Sequence, residues 1–163
     1  MPNKDLPQGA IPYGPVLSAK EYVAGAAVFP GDFVKLDANG KIVPAAATNP
    51  IAGVAIGYAA ADGDRVLVAD APSQRFLVQS DSADVDAQTD VNLNYDILAT
   101  AGNTAYKQSR MELNGASGAT TAALQLKLLG VNRSPTNALG ANVQCIVIVN
   151  NHQLSAHTGT AGV

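Results

Sequence analysis

The chain has 163 residues, of which 47% are apolar and only 5% aromatic, with no tryptophan, so Ala, Val, Leu and Ile must build one core of ordinary domain size. Charged residues are scarce at 14%, and the net charge of −3 with an isoelectric point near 5.1 speaks against a nucleic-acid partner, which needs clustered Lys and Arg. No stretch reaches the roughly 18 consecutive apolar residues of a membrane span, the N-terminus lacks a signal-peptide pattern, and the single Cys145 has no intramolecular partner.

Residues 1–17 hold four prolines, Pro2, Pro7, Pro12 and Pro15, spaced by Leu6, Ile11 and Tyr13. Proline fixes φ and removes a donor, so this segment is neither helix nor central strand. Two readings stay open at this point: a loose tail, or an extended arm whose spaced apolar residues lie on another surface.

From Lys20 onward short β-like runs alternate with turn signals. "GDFVKL" and "GDRVLV" each begin with a Gly-Asp pair, at Gly31 and Gly63, in which glycine supplies positive φ and the Asp carboxylate bonds local backbone. Asn39-Gly40 in "LDANGKIV" predicts a hairpin. "NPIAGVAIG" and "QRFLVQ" read as further strands, the latter with Phe76 and Val78 on one face and Leu77 on the other. The acidic stretch "SDSADVDAQTDVNLNYDIL" lacks the Gly and Glu positions of a calcium loop and reads as a solvated loop leading into a strand. In "ALQLKLLGV", Leu124, Leu126 and Leu128 alternate with Gln125 and Lys127, so a strand is expected despite helix-forming composition. "VQCIVIVNNHQL" (143–154) is the most apolar run. Val143, Cys145, Val147 and Val149 form one face, and Gln144, Ile146, Ile148 and Asn150 the other. Two apolar faces predict a strand covered on both sides, by its own sheet partners or by a neighbouring subunit.

No nucleophile elbow, phosphate-binding loop, dinucleotide fingerprint or zinc-protease motif occurs. His152 and His157 form the nearest metal pattern, but they lack Cys or carboxylate support. Cys145 and His152 on one extended strand stand ~23 Å apart, too far for a nucleophile–base pair. No catalysis, metal or cofactor is expected. The remaining roles for His152 are a polar strand-end residue bonded to backbone, or a direct contact with a neighbour.

From Ser109 onward the sequence resembles a family of tailed-bacteriophage head proteins, described as decoration, stabilisation or cement proteins. The resemblance covers about a quarter of the chain. It is carried by "MEL" before a Ser/Thr-rich turn, by "LKLLGV", by the series Arg133, Pro135, Asn137, Gly140, Asn142, and by the "VIVNNHQ" ending. Here Ser134 stands between Arg133 and Pro135, and Thr136 follows where the family has an acidic residue. "GDFVKL…GKIVPA…IAGVA" is similar in style to small β-barrel cement proteins. The resemblance implies binding to a major capsid protein on the outside of a virion, after assembly in the host cytoplasm, as homotrimers at local three-fold positions that brace the lattice.

The expected fold is all-β, a compact sandwich or barrel of about eight to ten strands over residues 18–154. An extended proline-rich arm (1–17) precedes it and a flexible tail (155–163) follows. The expected contact residues are Leu6, Ile11, Tyr13, Arg133, Asn142, Asn151 and His152. A carbohydrate-binding module or head-fibre protein is the alternative, although eight aromatics without tryptophan supply few sugar platforms.

Overall fold

The computed structural model describes residues 3–82, 84–156 and 159–163. It is nearly all-β. Among the described residues there are twelve strands: β1 (Ile11–Pro12), β2 (Ala19–Val23), β3 (Phe33–Leu36), β4 (Ile42–Pro44), β5 (Gly53–Ala55), β6 (Arg65–Ala69), β7 (Arg75–Gln79), β8 (Asn94–Tyr95), β9 (Ile97–Leu98), β10 (Glu112–Leu113), β11 (Leu126–Val131) and β12 (Gln144–Val149). They form three antiparallel sheets, ordered β1-β7-β12-β11-β8, β2-β6-β5-β3-β4 and β10-β9. The strands beyond the expected eight to ten include two-residue pairings, too short to leave a period in the sequence.

The turns follow from local chemistry. Gly31 and Gly63 take φ of +93° and +92°. The carboxylate of Asp32 accepts the Phe29 N–H at 2.9 Å, and that of Asp64 accepts the Ala61 N–H at 3.1 Å, so both Gly-Asp pairs close the same kind of turn. Gly40, at φ +72°, completes the β3–β4 hairpin, where Asp37 Oδ1 accepts the N–H groups of Asn39 and Lys41.

The two five-stranded sheets share one core. Phe33 of β3 meets Phe76 of β7 edge to face, with ring centroids 6.4 Å apart, amid Val54, Leu126, Leu128, Cys145, Val147 and Val149. Removing such a fully buried ring costs about 3–5 kcal/mol. The second sheet also curls around a smaller core of Val28, Val34, Ile42, Val66 and Val68. Its two edges meet where Ala24 pairs with Ile42 and the Gly25 N–H donates to the Ile42 carbonyl at 2.8 Å.

The expected alternation in 124–128 holds only in part. Leu126 and Leu128 point inward, but Gln125 precedes β11 and is fully buried. Its amide donates to the carbonyls of Ala46 and Asn49 at 2.8 and 2.7 Å and accepts the Ile97 N–H at 2.9 Å. A buried amide with all these bonds made is tolerated where an unpaired one would not be.

Residues 3–17 run beside β7, adding β1 as an edge strand, the position in which Pro12 removes no ladder bond. At the other terminus, residues 161–163 hydrogen-bond to the body. The Gly162 N–H donates to Thr120, the Val163 N–H to Asn92, and Lys127 Nζ to the Ala161 carbonyl.

Candidate interaction surface

The outer face of the β1-β7-β12-β11-β8 sheet is built by strand alternation. Cys145, Val147 and Val149 enter the core, while Gln144 is exposed and Ile146 and Ile148 are half-buried. Sequence patterning predicts cover on both sides of β12. Among the described residues the inward side is fully covered by the core and the outward side only in part.

Register lines up an apolar row across this face: Ile11 opposite Leu77, Leu77 opposite Ile146, and Ile146 opposite Gly130. A bulge between Leu128 and Gly130 interrupts β11, and a Cβ placed on Gly130 would meet nothing within 4 Å. Gly130 and Ile146 thereby line a groove of about 420 Å³, together with Tyr13, Leu129, Arg133 and Leu139. Beside it, a cleft of about 260 Å³ is lined by Leu6, Gln79, Asn142 and Gln144 among others.

The structure thus gathers Leu6, Ile11, Tyr13, Arg133 and Asn142, scattered in sequence, around one sheet face. Leu77, Leu129, Gly130, Leu139 and Ile146 were missed as site residues. The available signal was the second apolar face of β12. Asn142 sits at φ +57° and its Oδ1 accepts from Gln79 Nε2 at 3.3 Å.

Asn151 and His152 lie elsewhere. β12 ends in a polar junction between the two sheets: the Ile51 N–H donates to the Asn151 carbonyl at 2.9 Å, and the Gln153 N–H to the Ile51 carbonyl at 2.8 Å. The Asn150 amide donates to the carbonyls of Ala122 and Leu124, and that of Asn151 to Ala123. His152, at the polar end of β12, is buried within its own chain. Its Nδ1 accepts the Leu154 N–H at 3.1 Å, so the neutral ring carries its proton on Nε2. Burial holds its pKa below the ordinary value, opposed by Asp70.

His157, the other half of the weak metal pattern, lies outside the described residues. Among the described residues no group of three or more His, Cys, Asp or Glu side chains is arranged to hold a metal ion. Burial pushes the Cys145 thiol up to about 12, so it is a thiol rather than a nucleophilic thiolate at neutral pH. No helix among the described residues is long and apolar enough to cross a membrane. No protein-family model and no curated protein matches the chain.

Proposed function

We propose that this chain is a structural virion protein that decorates the outer surface of a tailed-phage capsid and stabilises its lattice, as trimers at local three-fold positions. The observation that carries the reading is the open apolar face formed by Ile11, Leu77, Ile146 and the groove at Gly130. Such a contiguous apolar surface marks an interaction site, and its concave groove with Tyr13 and Arg133 at the rim fits a protein partner. The resemblance in 109–153 supplies the kind of partner, a major capsid protein. Trimerisation makes the second and third contacts of each unit nearly intramolecular, so weak single contacts suffice.

Two sheets sharing one core support a sandwich architecture, with the second sheet curled toward a small barrel. Residues 3–17 serve as an arm that lies on the sandwich and presents its apolar side chains. A glycan-binding role finds less support. The amides lining the cleft at Leu6 are largely engaged within the chain: Asn3 with Ala138 and Ala141, Asn137 with Gln144, Gln79 with Leu6.

Cryo-electron reconstruction of the parent virion tests the reading. Copies are expected on the outer shell around three-fold positions, with the β7–β12–β11 face toward capsid or sister subunits. Purified virions lacking the protein, or copies bound with this face open to solvent, would sink it.

A further inference from the structure

We propose that the N-terminal segment is exchanged between copies: the seat that residues 3–13 occupy beside β7 of their own chain receives the same residues of a second copy in the assembled state. This rests on the reading of the chain as an assembling structural subunit, and it names the contact that joins one copy to the next.

The seat recognises an extended backbone. Gln79 Oε1 accepts the Leu6 N–H at 3.0 Å, the Gly31 carbonyl accepts the Ala10 N–H at 2.8 Å, and the Arg75 carbonyl accepts the Tyr13 N–H at 2.9 Å. Farther up, the Asn3 amide donates to the carbonyls of Ala138 and Ala141, both at 2.8 Å. A glycine is required at position 9, where a Cβ would stand 2.4 Å from the Gly31 carbonyl oxygen. The one segment known to satisfy this seat is the chain's own N-terminus, and it makes identical bonds whether it arrives from the same chain or from a neighbour.

Little holds it at home. Leu6, Ile11 and Tyr13 remain 57%, 47% and 43% exposed, and only Ala10 among its apolar residues is buried. Withdrawal therefore breaks a few polar bonds, which the second seat restores, and leaves no large cavity in the core. When a terminal element makes the same contacts in either chain, swapping is a low-cost route to association.

The swing point is also present. Gly14 has φ +83°, a Cβ there would meet nothing within 4 Å, and Pro15 follows. The Leu17 N–H is then pinned by Gln74 Oε1 at 2.8 Å. Gln79 thus holds the exchanged segment at one end of β7, and Gln74 holds the body side of the hinge at the other. The four residues 14–17 span at most about 14 Å, so exchange forces the two bodies into contact. Pro7 and Pro12 keep a released segment extended and limit the entropy lost when it docks on a second chain.

The test uses two full-length single variants carrying different mass tags, Ile11→Cys and Leu77→Cys. The two residues are register partners in an antiparallel pair, where Cα atoms about 5.5 Å apart suit a disulfide. Cys145 is buried and does not compete. The variants are mixed in urea, refolded together at high concentration and oxidised. The expected product carries both tags at about twice 16.6 kDa. It should form several-fold more than when Tyr106→Cys, at an exposed position outside the β1–β7 register pair, replaces Ile11→Cys. The double variant in one chain is the control for docking at home. Mixed single variants no more cross-linked than the Tyr106→Cys pair, with the double variant closing within its own chain, overturn exchange. Closure in neither overturns it too, since the segment then sits on neither seat. No capsid is used, so a chain that binds capsids without exchanging loses this proposal alone.

Discussion

The Gln153 side chain pairs with the Leu36 backbone as a strand would. Its Oε1 accepts the Leu36 N–H at 2.7 Å and its Nε2 donates to the Leu36 carbonyl at 3.0 Å. The end of β12 is thereby joined to β3, across 117 residues of sequence. Replacing Gln153 with Ala removes both bonds and leaves a partly buried donor and acceptor unpaired. A loss of about 1–3 kcal/mol is expected in urea unfolding. Gln153→Glu keeps the acceptor but sets a carboxylate oxygen against the Leu36 carbonyl, and it should not rescue the loss. A fully stable Gln153→Ala variant would show that this link contributes nothing net.

Gly130 separates folding from association. A Cβ there meets no atom within 4 Å, and the residue is not at positive φ, so Gly130→Glu, with its carboxylate reaching solvent along the groove, should leave stability within about 0.5 kcal/mol. The same carboxylate projects into the groove beside Ile146 and should reduce capsid binding at least tenfold in co-sedimentation. Undiminished binding by this variant would move the contact surface elsewhere.

Two groups give stability opposite pH dependences. Burial raises the Glu112 carboxyl above its ordinary value, reinforced by the charges of Asp5 and Asp81 and opposed by Arg110. Its neutral form is the favoured one in the fold, so its contribution is complete below the unfolded pKa of about 4.3 and is lost as pH rises through the folded value. Glu112→Gln should therefore be more stable than the parent at pH 7, with the gap closing toward pH 4. His152 has the reverse sign. Its lowered pKa means stability is complete above about 6.5 and is lost as pH falls, because a proton on Nδ1 ends acceptance from the Leu154 N–H. Nuclear magnetic resonance titration of the His152 ring should give a midpoint below 6.5; a midpoint above it would contradict the burial seen here.

Cys145 should behave as a core atom. Its sulfur lies in the shared core with Val143 and Val147, and its thiol is pushed up to about 12. Thiol reagents should label it only as fast as the chain unfolds. Cys145→Ser places a hydroxyl in the apolar core and should cost about 1–3 kcal/mol. Rapid labelling of the folded chain at neutral pH would place the sulfur at the surface instead.

Local chemistry made much of this protein legible in its sequence. Positive φ at Gly31, Gly40 and Gly63, and the inward faces of Phe76 and Val78 and of Cys145 and Val147, follow from residue type and a period of two. Both act over a few neighbouring residues. The second apolar face of 143–149 was equally legible, but whether anything covers it was not, because alternation assigns sides and leaves their occupants unspecified. Tertiary structure decided the burial of Gln125, whose partners lie as far as 79 residues away, and the turning inward of His152 toward Ile51. It also decided that Tyr13 and Arg133 share one groove. Those placements depend on which strands pair, through contacts distant in sequence that no short window of residues encodes.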